Sequence, residues 1–260
     1  MADPAPDSLR PLASGGRLRR FPDAEAVALA AADAFEAEAV AAIEARGVFR
    51  VLLSGGSTPK RMLEVLGERI DAMPFDWDAV RFFFGDERSV GPDHPDSNYG
   101  MACRALLDAI PTSARHAERL RGEEPDPSAA ARDYEGCVAR EFGVSADGAP
   151  PAFDLVFLGM GDDGHTASLF PGTAALEEQT RWFVANEVPQ LGTLRLTATF
   201  PLLAGARRIV FLVSGEGKRA RMAEIMSPKR DPSAYHPCER VRNEGRLDWF
   251  VDRAAVGGAE

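Results

Sequence analysis

The stretch VFRVLLSGGSTPKRMLEVLGERI, residues 48–70, changes character twice. VFRVLL is a short β-branched and aromatic run that stops at SGGSTP, and KRMLEVLGERI behind it returns to helical spacing. The reading is strand, glycine turn, helix. The same unit recurs outward along the chain. AVRFFFGDER (79–88) leads through a polar loop to NYGMACRALLDAI (98–110), FDLVFLGMGDDGH (153–165) follows, and RRIVFLVSGEGK (207–218) leads into RARMAEIM (219–226). Continuous apolar strands alternating with helices predict an α/β fold: a mainly parallel sheet covered by helices on both faces. Ligands of such sheets bind at the carboxyl ends of the strands, which is where each of these runs meets glycine and polar residues.

Around these units, Val27, Ala31, Phe35, Ala39 and Ile43 recur on one face between Asp23 and Ala45, predicting an amphipathic helix that Gly47 ends. GRLDWFVDRAA (245–255) reads as a short terminal strand. Residues 122–154 hold a helix between two proline-containing loops, without a domain boundary. Residues 1–16, small, polar and proline-rich, read as a mobile tail, which leaves residues 17–260 as one α/β domain. HTASLF (165–170) starts like a helix, with Thr166 and Ser168 available to its first turn.

The 260 residues are 45% hydrophobic, enough for a sizeable core. Forty acidic residues against 30 basic ones give a formal charge of −10, which argues against nucleic acid or an anionic membrane as partner. An anionic substrate would need a local basic patch. Cys103, Cys137 and Cys238 are odd in number, far apart and without metal-ligand spacing, as in a reducing compartment. The first residues lack the basic segment and apolar run of a secretory signal, and no segment is long and apolar enough to span a bilayer, so a cytoplasmic location is expected.

The loops after the strands carry the chemistry. In SGGSTP, Gly55 and Gly56 permit a sharp turn, Ser57 and Thr58 supply hydroxyls, and Pro59 suits a first helical turn whose free N–H groups attract phosphate. The alternative is an ordinary turn capped by Thr58. No Walker sequence or dinucleotide fingerprint is present. Asp86, Glu87 and Arg88 stand at another strand end, where Arg88 can grip a phosphate or an oxygen-rich sugar, or simply form a surface ion pair. His94 in the same loop reads as solvated. Imidazole is the side chain whose unperturbed pKa lies nearest neutrality, so His165 can take a proton from water and return it to a leaving group, with Asp163 orienting its ring. A helix-capping loop histidine is the bland alternative, and one histidine beside two aspartates is a poor metal site. Lys218 and Arg195 complete a basic patch. Two or three phosphate-binding elements, one acid/base histidine and no cofactor motif suit attack of water on a phosphorylated sugar.

LSGGSTPK (53–60), FFFGDERSVGPDHPDSNYGMA (82–102), FDLVFLGMGDDGHTASLFPG (153–172), FLVSGEGK (211–218) and LDWFVDRAA (247–255) resemble, in order and spacing, the motifs of the 6-phosphogluconolactonases. The resemblance covers residues 20–255. It implies a Rossmann-like fold of the ribose-5-phosphate isomerase/glucosamine-6-phosphate deaminase kind, and hydrolysis of 6-phospho-D-glucono-1,5-lactone without metal or organic cofactor. Carried over by position, the catalytic histidine falls on His165 with Asp163 beside it. The substrate contacts fall on Ser54, Gly55, Gly56, Ser57, Thr58, Arg88 and Lys218, with Arg195 as a further basic contact, and Asp86, at the same strand end as Arg88, is counted as a substrate-binding candidate beside them. Asp162 stands where the family often has glutamate, and His236 receives no role. A sugar-phosphate isomerase or deaminase on the same fold, or a non-catalytic sugar-phosphate sensor, are the alternatives.

Overall fold

The structure is a computed structural model that describes residues 7–111, 115–243 and 245–257. Its strands are β1 (Asp7–Pro11), β2 (Arg17–Phe21), β3 (Phe49–Leu53), β4 (Val80–Phe84), β5 (Asp86–Arg88), β6 (His116–Ala117), β7 (Leu155–Gly159), β8 (Phe183–Val188), β9 (Thr193–Ala198), β10 (Arg208–Val213) and β11 (Arg246–Asp252). Its α-helices are α1 (Ala24–Arg46), α2 (Ser57–Glu68), α3 (Asn98–Ala102), α4 (Pro127–Phe142), α5 (Phe200–Ala204), α6 (Arg219–Ile225), α7 (Pro237–Arg240) and α8 (Arg253–Val256).

Eight strands form one sheet in the order β1-β2-β11-β10-β7-β3-β4-β6. Every pairing from β2 to β6 is parallel. All six residues of β10 are buried, so both of its faces are covered, as the apolar run IVFLV requires, and Arg208 at its start is held by Glu38 and Asp248. Phe35 of α1 packs edge-on against Phe49 of β3 at 5.1 Å between ring centroids, and Phe83 of β4 packs against Phe153 at 5.3 Å. The ends of α1 follow from its sequence. Asp23 accepts a hydrogen bond from the Ala26 N–H, and Gly47 closes the helix at φ +74° with its N–H on the Ile43 carbonyl. No helix among the described residues is long and apolar enough to cross a membrane.

Three expectations are corrected. Of the residues read as a tail, 1–6 lie outside the described residues. From Asp7 onward the chain is β1, antiparallel to β2, with Gly15 (φ +103°) and Gly16 (φ +86°) reversing it and Leu12 and Ser14 buried. Without β1, β2 would present an open sheet edge, and β1 occupies it. The helix expected over residues 98–110 is α3 followed by a π-helical turn, Cys103–Leu107. HTASLF is not helical. Ala167 has φ +47°, and Thr166 and Leu169 form an isolated bridge instead.

A second, three-stranded antiparallel sheet, β5-β9-β8, was not expected from the sequence. Gly85 joins it to the main sheet: its N–H donates to the Leu53 carbonyl at 2.7 Å, and its own carbonyl accepts from Ala198 at 2.7 Å. Buried Glu135 of α4 holds β8 by accepting from the Trp182 and Phe183 N–H groups and pairing with Arg181. The small sheet thereby stands over the carboxyl ends of β3 and β7.

Candidate active site

From β3 the chain runs to β4 on one side and later returns to β7 on the other. Such a reversal of strand order opens a crevice beyond the carboxyl ends. A cleft of about 250 Å³ lies there, lined by Ser54, Gly55, Gly56, Ser57, Thr58, Asp86, Arg88, His165 and Lys218 together with Met160, Ala167 and Ser214 among others. The cleft lining thus brings together all the expected residues except Asp163, which is bonded to the His165 ring, and Arg195, which stands opposite Arg88 on the neighbouring strand.

Two glycines shape the turn into α2. Gly56 has φ +110°, and a β-carbon on Gly55 would stand 1.9 Å from Asn98 Oδ1. No side chain caps α2, so Thr58 does not play that part. The N–H groups of its first turn are left to a ligand, with the helix dipole favouring an anion. Ser54 Oγ is buried and has no hydrogen-bond partner among the described residues, and the same holds for Ser214 Oγ at the end of β10. These strands flank β7, and a buried polar atom without a partner is costly unless a ligand meets it.

Arg88 and Arg195 are directly opposed on β5 and β9. Like charges placed so repel each other unless an anion sits between them. Arg88 donates to the Asp96 carbonyl at 2.9 Å, whereas the Arg195 guanidinium makes no hydrogen bond or ion pair among the described residues. Burial, followed by the charge of Arg88, lowers the Arg195 pKa, and Asp86, Asp96 and Glu87 oppose that shift. Asp86 is buried and engaged, accepting from Ser168 Oγ at 2.8 Å and from Asn98 Nδ2 at 3.2 Å. Glu87 faces α3, accepting from the Asn98 and Tyr99 N–H groups and from Ser97 Oγ. Its burial raises its pKa despite those bonds. Lys218 Nζ lies 2.6 Å from Asp162 Oδ1, tying the β10 loop to the β7 loop and half-neutralising the lysine before any ligand arrives.

His165 Nδ1 and Asp163 Oδ1 are 2.6 Å apart, and the His165 backbone N–H also reaches Asp163 Oδ1 at 3.1 Å. Burial pushes the Asp163 carboxyl up, but the hydrogen bonds and charge of His165 outweigh it and hold it at about 2. With a carboxylate on Nδ1, the proton of the neutral ring belongs there and Nε2 keeps an open lone pair. Phe170 stacks on the imidazole with 4.0 Å between ring centroids. Gly161 admits this arrangement, since a β-carbon on it would lie 2.1 Å from the ring. His94 is half-exposed in its loop, as expected.

Phe170, Ser168, Asn98 and Ser214 were missed as contributors. Ser168 is pinned on three sides: its Oγ donates to Asp86, its N–H to Thr197 Oγ1 at 3.1 Å, and its carbonyl accepts from Asn186 Nδ2 at 2.8 Å. That anchoring holds Ala167 in its left-handed conformation next to His165. Among the described residues no group of three or more His, Cys, Asp or Glu side chains is arranged to hold a metal ion.

Comparison with known proteins places this geometry. Residues 22–249 match the family model described as glucosamine-6-phosphate isomerases/6-phosphogluconolactonase. The chain is 39% identical over 240 residues to a 6-phosphogluconolactonase of Nostoc sp., covering 92% of this chain and 96% of that one. It is 43% identical over 214 residues to one of Synechocystis sp., covering 82% and 86%. The structure of 6-phosphogluconolactonase from Trypanosoma cruzi superimposes with a TM-score of 0.79 at 26% identity over 96% of this chain and 97% of that one. A monomeric glucosamine-6-phosphate deaminase, 18% identical, shares the fold with a TM-score of 0.72 over 92% and 98%. The chain belongs to the glucosamine-6-phosphate isomerase/6-phosphogluconolactonase family.

Proposed function

We propose that this protein is a 6-phosphogluconolactonase, hydrolysing 6-phospho-D-glucono-1,5-lactone to 6-phospho-D-gluconate in the oxidative pentose phosphate pathway. The observation that carries the reading is the Asp163–His165 pair, 2.6 Å between Nδ1 and Oδ1, with the ring lining a cleft that also holds an uncapped helix N-terminus, Arg88 and Lys218. The relatives named 6-phosphogluconolactonase support it.

His165 Nε2 takes a proton from water as the water oxygen bonds to the lactone carbonyl carbon. The tetrahedral intermediate collapses by breaking the bond to the ring oxygen, and the same nitrogen returns the proton to that oxygen as it leaves. Asp163 orients the ring and stabilises the imidazolium between the two transfers. The N–H groups at the start of α2, Arg88, Lys218 and Arg195, which stands opposite Arg88, bind the phosphate and ring oxygens, holding the carbonyl in place for attack. Ser54 and Ser214 offer hydroxyl partners to the sugar.

The test generates the lactone in place with glucose-6-phosphate dehydrogenase and follows its disappearance with and without the protein. Faster disappearance with formation of 6-phosphogluconate is the expected result. No acceleration by a folded protein, or release of ammonia from glucosamine 6-phosphate, overturns the reading in favour of the family's other activity.

A further inference from the structure

Behind the turn that carries Asp163 lies a charged cluster that this chemistry does not use. Glu224 Oε2, on α6, accepts from Arg221 Nη1 at 2.8 Å and lies 2.7 Å from His236 Nε2, with Arg230 Nη1 at 3.4 Å. Glu239 accepts from the His236 backbone N–H and from Arg230 Nε, both at 2.9 Å. His236 Nε2 is also 3.1 Å from Arg221 Nη1, yet one ring nitrogen is either donor or acceptor. The shorter, charge-assisted contact to the carboxylate decides it: Nε2 carries a proton and donates to Glu224, and Arg221 bonds to the carboxylate rather than to the ring.

Two arms of this cluster reach the turn. Arg221 Nε donates to the Asp162 carbonyl at 3.2 Å. His236 lies on the backbone of Gly164, where φ is +82° and an added β-carbon would stand 2.6 Å from His236 Cβ and 2.7 Å from Cγ. The Cys238 N–H, two residues further, donates to the Gly164 carbonyl at 3.0 Å. Both neighbours of Asp163 are therefore clamped from one cluster, while the carboxylate of Asp163 is left to His165.

We propose that His236, held by Glu224, is a positioning residue for the Asp163–His165 pair. It touches no substrate; it fixes the Asp162–Gly164 turn, and so the direction from which the Asp163 carboxylate meets the imidazole. The proposal rests on the lactonase reading. Small displacements of a base relative to its substrate cost turnover steeply, whereas among the described residues no hydrogen bond or ion pair joins the cluster to the phosphate-binding groups at α2 and β5, and of the phosphate-binding groups only Lys218, paired with Asp162, touches the turn.

Steady-state lactonase kinetics on wild type, His165→Ala, His236→Ala, His236→Gln and Glu224→Gln, each checked for folding by thermal unfolding, test it. His236→Ala is expected to lower kcat about tenfold or more with KM within about threefold of wild type. His236→Gln, whose amide N–H can still reach Glu224, is expected to recover most of that loss. Glu224→Gln, which removes the charge that holds both His236 and Arg221, is expected to lower kcat alone and serves if His236→Ala does not fold. A kcat within about twofold of wild type in folded His236→Ala or Glu224→Gln, a loss carried by KM, or a glutamine variant no better than alanine overturns the proposal. An inactive wild type removes the lactonase reading and this proposal with it; an active wild type with an unaffected His236→Ala removes this proposal alone.

Discussion

A histidine bonded to a carboxylate through one ring nitrogen has only the other for chemistry, and in this chain that nitrogen is His165 Nε2. The ordinary aspartate pKa of 3.8 falls to about 2 at Asp163, so its carboxylate, the acceptor for the ring, is complete above pH 4 and is lost as the pH falls through about 2. Carbon-detected NMR of the Asp163 carboxyl is expected to show a titration midpoint below 3; a midpoint near 3.8 would contradict the pairing. Asp163→Asn lets the ring adopt the wrong tautomer, and kcat is expected to fall by about 10²-fold or more with KM little changed. Arg88→Ala removes a charge-assisted contact to the phosphate. KM is expected to rise by about tenfold or more, and unchanged saturation behaviour would place the phosphate elsewhere. At this scale the sequence is most legible where partners are local. Asp163 and His165 are two residues apart, and GDDGH displays them together. Arg195 opposite Arg88 and the Asp162–Lys218 pair depend on how distant segments meet, and Phe170 reaches the imidazole only because its own loop turns at Ala167, neither of which residue types alone disclose.

Elements read well where one rule governs them. Within VFRVLL, FDLVFL and RRIVFLV, the apolar stretches VLL, LVFL and IVFLV are buried on both faces, so apolar continuity identifies them as parallel strands. FVANEV and TLRLTA, which form β8 and β9, mix polar and apolar residues and pair antiparallel outside the main sheet, and neither was foreseen. HTASLF fails as a helix because Ser168 spends its N–H on Thr197 and its carbonyl on Asn186, tertiary bonds that override the local preference. The glycine loops are tight enough to test. Gly161→Ala puts a methyl group 2.1 Å from the His165 ring, so kcat is expected to drop by about 10²-fold or more while the melting temperature changes little. Normal turnover in that variant would show that the ring need not sit where it does.

Across the molecule, the site depends on strand order more than on any one strand. β3 and β7 are far apart in sequence and adjacent in the sheet, and Gly85 hooks the small sheet over their ends. The alternation of strands and helices foretold a parallel sheet with a site at its carboxyl edge. It did not foretell the second sheet, or that β1 would occupy an edge from residues resembling a tail. Fold and chemistry are separable on this scaffold. Phe83 is fully buried against Phe153, away from the cleft, and Phe83→Ala is expected to cost about 3–5 kcal/mol of stability while kcat and KM measured well below the melting temperature stay near wild type. The central claim is that His165 moves the proton. It is tested most directly by single-turnover hydrolysis of 6-phosphogluconolactone by wild type and His165→Ala at saturating protein, corrected for spontaneous hydrolysis. A fall of about 10²- to 10⁴-fold in the rate constant, with the lactone still bound, is the expected result; a folded His165→Ala protein turning over at the wild-type rate would contradict it.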